Sequence, residues 1–253
     1  MKIVILATKG EKANILYHRL AEKYEIAKVL IEESVPRKQL IKRRIKKMGF
    51  WKVFGQILFK IFVAKRLERE SENRLAFIKA SNHMNDAAIP EQVVEQVKNI
   101  NDIHCIEILK QINPDVIVVN GTRIISREVL QAVKAPFLNM HAGITPLYRG
   151  VHGGYWALAS QDKEHCGVTV HFIDEGIDTG NVIYQSLIRP TEEDNFITYP
   201  YLQFALGLQD MEQAIEDFQG EGIRTKTVDL PSVFRTHPTL WEYYYYKKKY
   251  GVV

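Results

Sequence analysis

Two short, uninterrupted apolar runs constrain this chain more than any other feature. Residues 2–7 read Lys-Ile-Val-Ile-Leu-Ala, and residues 114–120 read Pro-Asp-Val-Ile-Val-Val-Asn. A strand with one wet face alternates apolar and polar residues. An unbroken β-branched run needs apolar cover on both faces, as in a parallel sheet flanked by helices. After the first run, residues 11–24 place Ile15, Leu16, Leu20 and Ala21 on one helical face, and 26–31 read as a second strand. A strand–helix–strand opening implies a right-handed crossover and an α/β, Rossmann-like fold with a mostly parallel sheet.

Further strands are expected at 92–100, 137–141, 167–172 and 182–188, and helices at 102–111, 153–160 and 201–219. Ser126 is expected to cap a short helix ending near Val133. Segment 38–79 reads as mostly helical, 81–89 as loop, and the tail from Ile223 as short strand-like pieces before a Tyr- and Lys-rich run at 241–250. That run reads as a packed tail, because four adjacent Tyr cannot all face one way.

In an open α/β sheet, ligands bind beyond the carboxyl ends of the strands. Residues 120–125, His141 and Asp178 fall there on this reading. The richest stretch is Asn139-Met-His141-Ala-Gly-Ile-Thr-Pro146-Leu-Tyr-Arg149-Gly150, followed by Gly167-Val-Thr169-Val-His171-Phe-Ile-Asp174-Glu-Gly-Ile-Asp178-Thr-Gly180-Asn181. Strand alternation puts Asn139 and His141 on the same face. An amide, imidazoles and carboxylates gathered where strands stop suit proton handling and oxyanion binding. The plainer role for Asn139 and His141 is to satisfy loop backbone groups. Hydrogen bonding within the loop is the expected role of His171 and Asp174. No metal is expected: His141, His152, His165 and His171 offer no i, i+4 pair, and no Cys pair joins them. Cys105 and Cys166 are lone thiols, which points to a reducing compartment without a disulfide framework.

These two segments resemble the Asn-x-His…Pro-x-x-Arg-Gly and Gly-Val-Thr-x-His-x-x-Asp-x-x-x-Asp-x-Gly motifs of the folate-dependent formyltransferases. The likeness is strong over about 115–190 and weak elsewhere. It implies a catalytic trio of Asn139, His141 and Asp178. Asn139 and His141 would be donors to the oxygen that gains charge, and Asp178 would orient His141 or a water. It implies N10-formyltetrahydrofolate as the formyl donor, held mainly by backbone groups at Arg123, Ile124 and Ile125 and at Asp174, Glu175, Gly176 and Ile177. Arg149 and Gly150 would contact the substrate. The chain departs from the family at Gly143, where the family's His-x-Ser has a hydroxyl. The first βα turn, Ala7-Thr-Lys-Gly10, lacks the Gly-rich anion loop of the glycinamide ribonucleotide enzymes. Only about 60 residues follow the motifs, fewer than the β-barrel domain of methionyl-tRNA formyltransferases requires. The expected activity is therefore formylation of a nucleotide-linked amino sugar for surface polysaccharide synthesis. The alternatives are another amine (peptide, aminoacyl or aminoacyl-tRNA) or a non-catalytic module bound to membrane or RNA.

The net charge of +4 conceals an asymmetry. Residues 37–67 hold 11 Lys or Arg and no Asp or Glu, leaving 23 basic and 30 acidic residues elsewhere, a net of −7. Within that segment, 50–64 is apolar except for Lys52, Gln56 and Lys60. It could be buried against the domain or a second subunit, or lie on an anionic membrane. Nucleic acid is not the expected partner. The expected organisation is a catalytic domain at 1–190, with a basic helical excursion at 37–80, and a helical/β extension at 191–253. The expected location is cytoplasmic, with the inner membrane face open as a peripheral site. No run approaches the ~18 apolar residues of a membrane span.

Overall fold

The computed structural model describes residues 1–220 and 222–253. It opens as β1 (Lys2–Thr8), α1 (Glu11–Ala21) and β2 (Glu25–Glu32), and Ile3 to Leu6 of β1 have no exposed surface. Each such buried aliphatic side chain contributes on the order of 2 kcal/mol. The chain then leaves the sheet for α2 (Arg37–Met48), α3 (Phe50–Phe59), a π-helical turn (Lys60–Ala64), α4 (Lys65–Glu70) and α5 (Glu72–Ser81). It returns at β3 (Val94–Val97) and continues through α6 (Ile103–Ile112), β4 (Val116–Asn120), α7 (Arg127–Leu130) and β5 (Phe137–His141). Next come β6 (Arg149–Gly150), α8 (Gly153–Ala159), β7 (Gly167–Phe172) and β8 (Val182–Leu187). Last are α9 (Tyr199–Gln219), β9 (Phe234–Arg235) and α10 (Leu240–Tyr250).

The seven-stranded sheet has the order β3-β2-β1-β4-β5-β7-β8. Pairing is parallel from β3 through β5, and β7 runs antiparallel to both β5 and β8. This is the mostly parallel, Rossmann-like α/β architecture expected from the residues. Successive β1 side chains point to opposite faces. Ile3 and Ile5 meet Leu16 and Leu20 of α1 and Met211 and Ile215 of α9, while Val4 and Leu6 meet Cys105 and Leu109 of α6 and Val129 of α7. A methyl at Gly207 would strike the Met140 side chain, so the absence of a side chain there lets α9 seat against Met140 of β5. Cys105 and Cys166 are free and buried, and burial pushes both thiols up to about 12, far from a reactive thiolate.

A third cluster joins segments distant in sequence. Phe59, Val63 and Leu67 of the excursion pack with Tyr155 and Trp156 of α8, with Phe196 and with Tyr243 of α10. Polar contacts secure it. Arg74 grips Asp194 through two 2.9 Å hydrogen bonds. Gln56 accepts from Arg44 at 2.7 Å and donates to the His237 carbonyl at 2.7 Å.

Three expectations are refined. Ser126 stands at the N-cap position of α7 without a side-chain bond to the helix backbone, its hydroxyl meeting the Glu128 side chain instead, and the helix ends at Leu130, not near Val133. The Tyr-rich run is a helix closed by a capping box between Thr239 and Glu242; Tyr243 is buried, whereas Tyr244 and Tyr245 are exposed. The apolar face of 50–64 is only half buried within the domain. Val53, Phe59 and Val63 face inward, while Trp51 remains 72% and Phe54 39% exposed.

Candidate active site

A cavity of about 400 Å³ lies between the loop after β4, the end of β5 and the loop after β7. Its lining includes Arg123, Ile124, Ile125, Asn139, His141, Gly150, His171, Asp174, Gly176, Ile177 and Asp178. The trio inferred from the two motifs therefore meets on one wall. Arg149 and Glu175 are outside that lining. Arg149 donates from Nε to the Ile177 carbonyl at 2.7 Å and from Nη1 to Ser232 at 2.8 Å, and Glu175 pairs with Arg127 at 3.3 Å. In this structure Arg149 ties the loop after β7 to the C-terminal segment.

The route by which Asp178 reaches His141 differs from the expected strand-end arrangement. Because β7 is reversed, its end at Phe172 lies beside Leu138, while His141 pairs with Thr169. Residues 173–181 must turn back along β5 to bring Asp178 within 3.4 Å of His141. Asp174 shapes that return by accepting from the Gly176 amide at 3.0 Å and the Thr179 hydroxyl at 2.7 Å, the loop role expected of it. Asp178 has a left-handed backbone, φ 52°, a region Asp tolerates better than most residues.

Hydrogen-bond partners define the proton positions. His171 Nδ1 lies 2.7 Å from the Phe172 carbonyl, which can only accept, so Nδ1 carries a proton. Burial holds His171 below the ordinary imidazole value, and nearby His141 adds to the depression. A neutral ring leaves Nε2 as acceptor for Asn139 Nδ2 at 3.1 Å. The Asn139 amide is thus oriented, with its second N–H left to donate. His141 Nε2 lies 2.7 Å from the Tyr148 carbonyl and is likewise protonated. Its Nδ1 faces Asp178 Oδ2, which also accepts from the Gly150 amide at 3.1 Å. Any further proton on the pair sits between Nδ1 and the carboxylate. His141 therefore has no N–H aimed elsewhere into the cavity, and Asn139 is the side-chain donor on this wall.

Gly143 makes the His141 arrangement possible. A Cβ there would collide with the Tyr148 carbonyl and approach His141 Nε2 to 2.8 Å. The space held by Ser in the family motif is used here for close approach of a backbone acceptor.

Arg123 lines the cavity, but its side chain is engaged on the sheet side. Its guanidinium pairs with Glu32, a carboxylate only 4% exposed at the end of β2, and its amide donates to the same side chain at 3.1 Å. Ile124 is exposed and Ile125 is buried under the loop. Asn101 fastens this turn, donating to the Ile124 carbonyl at 2.9 Å and accepting from the Ser126 amide at 2.8 Å. Sequence reasoning missed the Tyr148 carbonyl, Glu32 and Asn101. A backbone acceptor has no side-chain signature, but a carboxylate ending an apolar strand was a visible signal.

An amide, an imidazole and a carboxylate thus share one cavity wall of an α/β protein with a mostly parallel sheet. A family model described as formyl transferase matches residues 61–199, more than half of the chain, and the protein belongs to that family. It is 37% identical over 141 residues to the methionyl-tRNA formyltransferase of Pelotomaculum thermopropionicum, covering 55% of this chain and 45% of that one. It is 30% identical over 193 residues to the enzyme of the same name from Clostridioides difficile, covering 76% and 51% of the two chains. The chain thus spans about half the length of the curated relatives it matches. Among solved structures, a sugar N-formyltransferase from Shewanella sp FDAARGOS_354 superposes with a TM-score of 0.58 at 11% identity, covering 93% of this chain and 76% of that one.

These relatives overturn the expectation of a nucleotide-linked amino sugar in polysaccharide synthesis. These sequence relatives bear the name methionyl-tRNA formyltransferase, and the sugar N-formyltransferase shares the fold at an identity that carries no substrate information. The expectation rested on elimination, from the first βα turn and from the number of residues following the motifs, and neither says which amine the cavity accepts. Among the described residues, no helix is long and apolar enough to cross a membrane.

Proposed function

We propose that the protein transfers a formyl group from N10-formyltetrahydrofolate to the amine of an aminoacyl-tRNA. The observation that carries the chemistry is the Asn139 amide, oriented by His171, beside the His141–Asp178 pair on one cavity wall. The relatives' names support the acceptor class.

The residues fit the donor. A volume of about 400 Å³ falls within the usual range of small-molecule sites. Apolar Ile124, Val151 and Ile177 flank backbone groups of the two loops. When bound, the folate supplies the activated formyl carbon and a nitrogen leaving group. The free Asn139 N–H would donate to a formyl oxygen that gains negative charge when an amine adds. The amine must also lose a proton. His141 Nδ1 and Asp178 Oδ2 can receive it between them and return a proton to the departing nitrogen. His141 Nε2 stays on the Tyr148 carbonyl and holds the ring.

The test is product analysis with labelled N10-formyltetrahydrofolate and methionyl-tRNA, free methionine or amino-sugar nucleotides as acceptors. Label is expected on the methionyl-tRNA amine. Transfer to another acceptor alone would overturn the substrate class, and absence of transfer to every acceptor would overturn the reading.

A further inference from the structure

α2, α3 and α10 form a surface that the catalytic reading does not use. On the outer side of α3 and the following turn, Phe50, Trp51, Phe54, Ile57, Ile61 and Phe62 are all exposed. The rings hold one another: Phe50 stacks on Phe54 at 5.9 Å, and Trp51 meets Phe54 edge-on at 6.2 Å. The inner side is seated in the core through Val53, Phe59 and Val63, so the helix cannot roll to hide its outer face. α10 extends the patch with half-exposed Trp241, whose ring lies against Gly55. Beside it, Arg37, Lys38, Lys42, Arg43 and Lys46 of α2 are exposed and, among the described residues, form no ion pair.

We propose that this surface docks on an anionic lipid bilayer, with α3 in the interfacial plane and the α2 cations over the headgroups. Charge decides the sign of the partner, since residues 37–67 contain 11 Lys or Arg and no acidic residue. A second copy of this chain would bring two such segments together and repel. RNA phosphates would satisfy the cations and bases could stack on the rings, but exposed Leu40, Ile41, Ile57 and Ile61 would gain no partner. The bilayer interface accepts both sets: apolar side chains at the acyl boundary and Lys or Arg at the headgroups.

The test is co-sedimentation of the full chain with phosphatidylcholine vesicles with or without phosphatidylglycerol. Binding is expected only with the anionic lipid at low salt, with release at high salt. Lys38→Gln/Lys42→Gln/Arg43→Gln should weaken partitioning by ~10²-fold. Trp51→Ser/Phe54→Ser should abolish it, along with a blue shift of tryptophan emission on vesicles. Both variants should keep the wild-type circular dichroism spectrum and turnover. Failure of the wild-type protein to sediment with the anionic vesicles at low salt overturns the proposal. A dimer then found to dissociate on Trp51→Ser, or RNA binding lost in the charge variant, would identify the true occupant.

Discussion

Restoring the family's own residue at position 143 should damage this protein. In Gly143→Ser, the new Cβ would enter space already held by the Tyr148 carbonyl and lie 2.8 Å from His141 Nε2. The backbone on one side is the end of a sheet strand, so the segment carrying Tyr148 must yield. Its carbonyl then leaves His141, whose Nε2–H loses its 2.7 Å acceptor in a ring only 6% exposed. An orphaned buried donor costs about 1–3 kcal/mol, which for a chain of this size lowers the melting temperature by on the order of 5 °C. Catalysis should fall further. With Nε2 released, the ring no longer keeps Nδ1 toward Asp178, and turnover should drop by ~10². Tyr148→Phe is the control: it removes the hydroxyl bond to Asp162 at 2.8 Å and leaves the carbonyl in place. It should reduce stability by about 1 kcal/mol and preserve turnover. Thermal denaturation and labelled-formyl transfer measure both effects. Wild-type turnover in Gly143→Ser would refute the proposed support of His141 by Tyr148.

Asn139→Ala should lower turnover by ~10²–10³ with folate affinity, measured by calorimetry, nearly unchanged, because the lost donor acts on developing charge. His141→Ala and Asp178→Asn should each reduce turnover, and the double variant should be little worse than the poorer single, since they serve one proton. Arg123→Ala should destabilise the protein by about 3 kcal/mol in denaturant titration, because it strands buried Glu32. Stability should also fall in acid. Burial lowers His152 to about 3, helped by nearby His237 and Lys12, and lowers His237 to about 4, helped by Arg44 and Lys60. Both rings stay neutral in the fold while the unfolded chain takes up protons below about pH 6.5. Their contribution is therefore complete above that pH and is lost as pH falls toward 4, by up to about 2 kcal/mol per ring at pH 5. Urea titrations across that range, with His237→Gln showing a shallower loss, check the assignment.

The two apolar runs specified the centre of the sheet because unbroken β-branched stretches have few other stable uses, and β1 and β4 lie side by side in it. The trio was legible for a related reason: Asn139 and His141 share a strand face, and the downstream motif carried Asp178. Reversal of β7 was not legible, because strand direction depends on pairing between distant segments. Nor was the partner of the Arg123 side chain legible without knowing that β2 ends beside the loop after β4, where buried Glu32 claims it. Periodicity found the apolar stripe of α3, but it could not tell which half of an apolar helix would face inward.

Gln56 holds residues 44 and 237 at once, and Tyr243 of the tail packs against Phe59 of the excursion. Segments nearly two hundred positions apart thus behave as one inherited part. A descendant that shed the tail would uncover Phe59, Tyr155 and Trp156, and one that shed the excursion would leave Tyr243 without its seat. Across natural variants of this chain, the two should be gained, lost and reshaped together.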